Sequence, residues 1–185
     1  MLLPIYAYGH PVLRQKAKDI AADYPDLQTI FVNMWETMYH ADGVGLAAPQ
    51  VGLPIRLFMI DTNTIKEEGR KGQPGIKRAF INAQMVEEFG EKGGYEEGCL
   101  SIPDVRGEVT RLNKIRLRYL DENFQEQEEE FAGINARVIQ HEYDHIEGIL
   151  FTDLLGPLKK KLIAKKLTRI AKGECAADYK MRFAK

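Results

Sequence analysis

An α+β fold, in which antiparallel strands enclose one central helix and further helices lie near both ends, is what this sequence predicts on three observations. Apolar residues recur at 3- and 4-residue spacing in three separate stretches, the mark of amphipathic helices. Between the first and second stretches, short apolar or alternating runs are divided by turn residues rather than by helices, so the strands follow one another as a meander. The length of 185 residues is that of one ordinary domain of roughly 100–200 residues, so a single core is expected.

The elements follow in order. Leu27, Ile30, Phe31, Met34, Trp35 and Met38 predict a helix over 25–40, with Pro25 suited to its first turn. Asp42-Gly43-Val44-Gly45-Leu46-Ala47-Ala48-Pro49-Gln50 then imposes an irregular loop. Arg56 to Asp61 reads as a largely buried strand around the continuous run Leu57-Phe58-Met59-Ile60. Residues 62–77, charged and carrying Gly69, Gly72, Pro74 and Gly75, predict a surface loop. Strands are expected at Ala79–Asn82, Val86–Phe89, Gly98–Ile102 and Ile115–Tyr119, with turns at Gly90, Gly93-Gly94, Pro103 and Asp121-Glu122-Asn123. The acidic patch Glu126 to Glu130 fits a solvated strand edge or turn, and helical spacing returns over 133–147 and 157–172.

Composition narrows the function classes. Hydrophobic residues make up 44% and charged residues 29%, which suits a soluble globular chain and excludes a disordered or collagen-like one. No apolar stretch approaches the ~20 residues that span a bilayer, so no membrane partner is expected. The start of the chain has no basic segment ahead of an apolar one, so no targeting peptide is read there. Two cysteines, Cys99 and Cys175, are too few for a disulfide scaffold; a reducing, cytoplasmic address is expected. The net charge of −1 hides an asymmetry: residues 156–185 carry ten Lys/Arg against two acids, while residues 1–155 are acidic.

The chemistry centres on His141-Glu142-Tyr143-Asp144-His145. Positions i and i+4 of a helix lie on one face, so His141 and His145 can present their imidazoles to one divalent ion. A catalytic centre of this kind takes three protein ligands and leaves one position for water. Candidates for the third are Cys99, Cys175, His10, His40 and the carboxylates. Cys99 stands out in Glu97-Gly98-Cys99-Leu100-Ser101, where Gly98 admits a close backbone approach and Leu100 offers an N–H beside the metal. A metal lowers the pKa of its water towards about 7, and Glu142 is placed to take that water's proton as general base and deliver it to a leaving group as general acid. The oxyanion of an attacked carbonyl would be met by Gln50 and the Leu100 N–H. Asp144 would orient a ligand or hold the helix.

Three segments together, Gly43 to Gln50, Glu97 to Ser101 and His141 to His145, resemble in order and separation the signature motifs of the peptide deformylases, over about residues 4–155. The resemblance implies removal of the N-formyl group from the N-terminal methionine of nascent polypeptides, with release of formate. It implies metal ligands Cys99, His141 and His145, general base Glu142, oxyanion donors Gln50 and Leu100, and backbone contacts to an extended substrate from Val44, Gly45 and Gly98. It also implies one divalent metal per chain, Fe(II) by the family's habit, although a Cys-His-His site would equally accept zinc, nickel or cobalt. Arg137 stands where some members carry an apolar residue near the methionine pocket. Arg106 matches a position that can contact the peptide beyond methionine, with a surface salt bridge as the alternative.

The domain reading is therefore a single catalytic domain over 1–185, made of a core over 1–155 and a basic helix and tail over 156–185. The basic helix, on an enzyme acting on nascent chains, suggests docking to the ribosome. Two rival functions are a HExxH metallopeptidase and a non-catalytic RNA- or ribosome-binding domain with a structural metal. The Cys99 motif and the small size favour the deformylase over the peptidase. A lone formyl hydrogen on the acyl side of the scissile bond also needs less room than a peptide chain.

Overall fold

A computed structural model describes residues 1–184. Five antiparallel strands, β2 (Gly45–Ala47), β3 (Leu57–Asp61), β4 (Lys77–Cys99), β5 (Ile102–Leu120) and β6 (Glu126–Ala132), form one sheet in sequence order, the expected meander. Two terminal strands, β1 (Ile5–Tyr6) and β7 (Met181–Arg182), pair in parallel as a separate ribbon. The helices are α1 (Leu27–His40), the short α2 (Glu67–Arg70), α3 (Gly133–Ile146) and α4 (Pro157–Ala171).

Period-two alternation explains why the run at 57–60 is apolar throughout. Phe58 and Ile60 join Phe80, Leu117, Tyr119 and Ile139 in the core beneath α3, while Leu57 and Met59 join Ile81 and the α1 residues Phe31, Met34 and Met38 on the opposite face. β3 is thus buried on both sides, all five residues of it. Each such Leu, Ile or Phe contributes roughly 1.5–3 kcal/mol on burial. α3 packs against β2, β3, β5 and β6, so the sheet fixes the helix that carries the histidines.

Two long strands replace the four short ones expected between 79 and 119. Gly90, at φ +85°, lies inside β4 at a register shift between Phe89 and Lys92, where it bulges the strand instead of ending it, and Gly93-Gly94 pair regularly with Arg111 and Thr110 of β5. Pro103 sits within β5, which is tolerable because β6 pairs only with residues 114–120 and leaves that stretch of β5 an open edge. The hairpin turn is Leu100-Ser101, between the paired Cys99 and Ile102. The expected loop at 62–77 contains a 3-10 turn at Thr62–Thr64 and α2. α1 starts at Leu27 rather than at 25, because Asp26 has a left-handed backbone.

Candidate metal centre

The hairpin tip after β4 meets α3 at one point. Cys99, His141 and His145 each present a ligand atom, and these atoms all lie within 4.8 Å of one another. Cys99 Sγ is 3.3 Å from His145 Nε2, and the two imidazoles, one helical turn apart, stand 5.1 Å between centroids at 75°. One soft thiol with two imidazoles suits a zinc-like or iron-like divalent ion. His145 is buried, which lowers its pKa well below the ordinary value and keeps it in the neutral form that ligates. His141 is raised instead, its hydrogen bonds with Cys99 and Glu97 outweighing burial.

Behind His141 stands a charge network that the sequence reading missed. Glu97 Oε2 lies 3.0 Å from His141 Nδ1, an arrangement that orients the ring and leaves Nε2 for the ligand cluster. Arg111 Nε and Nη2 donate to the two Glu97 oxygens at 2.7 and 3.1 Å, and Arg111 Nη1 donates to Asp144 Oδ2 at 2.8 Å. Burial pushes the Glu97 carboxyl up, but the hydrogen bonds from His141 and Arg111 more than offset it and hold its pKa at about 2. The missed signal was parity: Arg111 falls on the inward register of β5 with Val105, Gly107 and Val109, where a charge needs a buried partner. Through Arg111 the Asp144 side chain both ties α3 to β5 and joins the network behind His141.

Glu142 is the opposite case. It is 4% exposed, its Oε2 has no hydrogen-bond partner, and burial pushes its pKa up to about 7. Gly45 faces it so closely that a Cβ there would strike the Glu142 carboxylate, so β2 needs glycine at that position. Gln50 is fixed by accepting from the Ala47 N–H at 2.9 Å, which turns its Nε2 toward Cys99 Sγ at 3.4 Å and Ser101 Oγ at 3.2 Å.

A cavity of about 390 Å³ opens over these groups. Val44, Gly45, Gln50, Gly98, Cys99, Leu100, His141 and Glu142 all line it, and His145 lies beneath, outside the lining. No internal packing demands glycine at 98, since a Cβ there would meet nothing nearer than Arg106 at 3.4 Å; the space saved opens on the cavity. The Val44 carbonyl is already taken by the Asp61 N–H at 2.9 Å. Arg106 lines the cavity and forms no ion pair among the described residues. Arg137 lies over the Tyr95 ring with its guanidinium bonded to Glu97, Val109 O and Gly93 O. The loop after β3 reaches the site: Ile65 lines the cavity, and Gln73 holds the start of α3 through the Ala132 carbonyl and the Ile134 N–H.

Residues 2–161 match the family model for polypeptide deformylase. The chain is 56% identical over 189 residues to the peptide deformylase of Christiangramia forsetii, covering 99% of this chain and 96% of that one. It is 53% identical over 190 residues to that of Flavobacterium johnsoniae, covering 100% and 97%. Among solved structures it is similar to the peptide deformylase of Legionella pneumophila, with a TM-score of 0.81 at 34% identity, covering 94% of this chain and 98% of that one. For the Thermotoga maritima enzyme the TM-score is 0.74 at 39% identity, covering 85% and 99%.

Proposed function

The chain belongs to the polypeptide deformylase family, metal-dependent hydrolases that remove the N-formyl group from the N-terminal methionine of nascent polypeptides, and within that activity we propose a role for each residue of the site. Cys99, His141 and His145 would hold one divalent ion; Fe(II) is our reading, and the donor set would accept zinc, nickel or cobalt as well. When bound, the ion supplies a Lewis-acid charge at the carbonyl and makes water nucleophilic at neutral pH.

Glu142 takes the proton of the attacking water and delivers it to the amine nitrogen as the formyl C–N bond breaks, giving formate and a free N-terminus. A carboxyl with an unpartnered oxygen facing the cavity is suited to both halves of that transfer. The Leu100 N–H donates to the oxyanion that forms on the carbonyl oxygen, joined by the Gln50 Nε2 hydrogen that otherwise meets Cys99 Sγ at 3.4 Å. Backbone edges at Val44, Gly45 and Gly98 bracket the extended peptide, and the apolar wall of Val44, Ile65, Ile134 and Val138 receives the methionine side chain. The observation that carries this reading is Glu142: a buried carboxyl with an unpartnered oxygen, beside the Cys99–His141–His145 cluster in the same cavity.

The test is formate release from a formyl-methionyl peptide by protein loaded with metal in the absence of oxygen. Glu142→Ala is expected to keep its metal and lose at least about 100-fold in kcat. Cys99→Ser is expected to lose its metal. Turnover near the wild-type level in the first variant, or a full metal complement in the second, contradicts the assigned roles.

We read residues 1–185 as a single catalytic domain acting in the reducing cytoplasm, a setting that keeps the Cys99 thiol from oxidation; no helix among the described residues is long and apolar enough to cross a membrane. Ribosome docking through α4 is our reading of its outer face. Ile163, Leu167 and Ile170 are buried, whereas Leu158 and Leu162 are 73% and 71% exposed and share their face with Lys161 and Lys165. Because the buried face rules out deletion as a clean test, Lys161→Glu with Lys165→Glu is the variant of choice. It should weaken co-sedimentation with ribosomes by about 10-fold and flatten its salt dependence while leaving formate release unchanged. Equal binding by the variant removes the idea.

A further inference from the structure

The sequence beyond residue 161 lies outside the family match, yet it returns to the centre of the molecule. Strand β7 runs parallel to β1, with Ile5 opposite Met181 and Tyr6 opposite Arg182, and is fastened by Ile5 N–H to Lys180 O and Ala7 N–H to Arg182 O, each 2.8 Å. From the downstream end of β1, the Tyr8 N–H donates to the Ser101 carbonyl at 2.8 Å. From just ahead of β7, the Tyr179 hydroxyl donates to the Leu100 carbonyl, also at 2.8 Å. Two neighbouring strands therefore grip two consecutive carbonyls of the hairpin tip.

That tip is the two-residue turn between Cys99 and Ile102. On its opposite side Gln50 Nε2 reaches both Cys99 Sγ and Ser101 Oγ. With the Leu100 and Ser101 carbonyls fixed from behind and Cys99 from in front, the peptide plane between Cys99 and Leu100 has little freedom left. It is this plane that carries the Leu100 N–H.

We infer that Tyr179 is a positioning residue for the deformylation reaction: its hydroxyl, delivered by the β1–β7 ribbon, locks the Leu100 carbonyl and so aims the Leu100 N–H at the oxyanion and holds Cys99 in place. The inference rests on the roles proposed above for Leu100 and Cys99. A group that positions an oxyanion donor acts in the transition state, so its loss should lower kcat and spare KM. Tyr179 itself touches neither substrate nor metal.

The test compares two full-length variants that each lose one hydroxyl from the same ribbon. Tyr179→Phe removes the grip on Leu100, whereas Tyr6→Phe removes only the contact from Arg182 to the Tyr6 hydroxyl, 3.2 Å long and away from the turn. With a formyl-methionyl peptide, Tyr179→Phe should lose about 10-fold in kcat at unchanged KM, and Tyr6→Phe should match the wild type. The absorption of the Co(II)-substituted protein in the thiolate region, read without substrate, should shift in Tyr179→Phe alone. A selective fall in kcat supports the inference whether or not the spectrum moves, the unmoved spectrum limiting the effect to Leu100. Unchanged kcat, a rise in KM alone, or an equal fall in Tyr6→Phe overturns it. Misreading of the ligand itself would show separately, as metal retained by Cys99→Ser.

Discussion

Two buried arginines tie α3 to the sheet, and they do it for different ends. Arg56, 6% exposed, bonds Glu147 at the C-terminal end of the helix at 2.6 Å and the Ala83 carbonyl at 2.5 Å, and lies over the Tyr143 ring. Glu147 is also met by Lys16 at 3.1 Å and Arg56 by Asp19 at 3.5 Å, so that cluster sets two cations against two carboxylates. Arg111, 8% exposed, is shared between Glu97 and Asp144, and Glu97 spends one oxygen on His141. Next to His141 on the chain, Glu142 Oε2 receives no hydrogen bond. The same interaction thus stabilises on one face of the C-terminal half of α3. On another face it supports the proposed ligand His141 and leaves the adjacent carboxyl unmatched, pushed by burial up to about 7. A buried carboxyl left unmatched in this way is what the proton-carrying role proposed for Glu142 needs.

The comparison is most sharply tested by removing each arginine. Arg111→Met leaves Asp144 without a partner and Glu97 with Arg137 and His141 alone, and should destabilise the protein by about 3–5 kcal/mol, read by urea unfolding, while also lowering kcat because the support of His141 is loosened. Arg56→Met should cost less, about 1–3 kcal/mol, since Glu147 keeps Lys16 and Asp19 is already largely in water. Its kcat at 25 °C should be unchanged. A fall in kcat for Arg56→Met comparable to that of Arg111→Met would erase the distinction between the two clusters.

The sequence displays one of these clusters better than the other, and neither fully. The i, i+4 histidines, Glu142 and the Cys99 segment are local patterns, and the double-sided burial of β3 follows from Leu57-Phe58-Met59-Ile60. What could not be read locally depends on distant pairings. Gly90 and Gly93-Gly94 look like turns, and only pairing with β5 makes the first a bulge and the other two ordinary ladder positions. Arg111 could be suspected from its inward parity, but Glu97 as its partner follows from the β4–β5 register. Tyr179 is 79 residues from Leu100 and reaches it through a ribbon of two residue pairs, too short to leave a pattern.

The smallest effect separates the two arginines in the resting protein, without turnover. An ion that binds only the folded chain raises its stability by RT ln(1 + [L]/Kd), about 2.7 kcal/mol at a hundred times Kd. Arg56 touches no ligand, so metal loading should raise the melting temperature of Arg56→Met by the same increment as the wild type, from a lower start. In Arg111→Met the Glu97 that holds the His141 imidazole is itself held by Arg137 alone, metal affinity falls by about 10-fold, and the increment shrinks by about 1.4 kcal/mol at the same free metal. Differential scanning calorimetry with and without added Co(II), kept free of oxygen, reads both increments. Equal increments in the two variants would mean that Arg111, like Arg56, supports the fold without preparing the ligand.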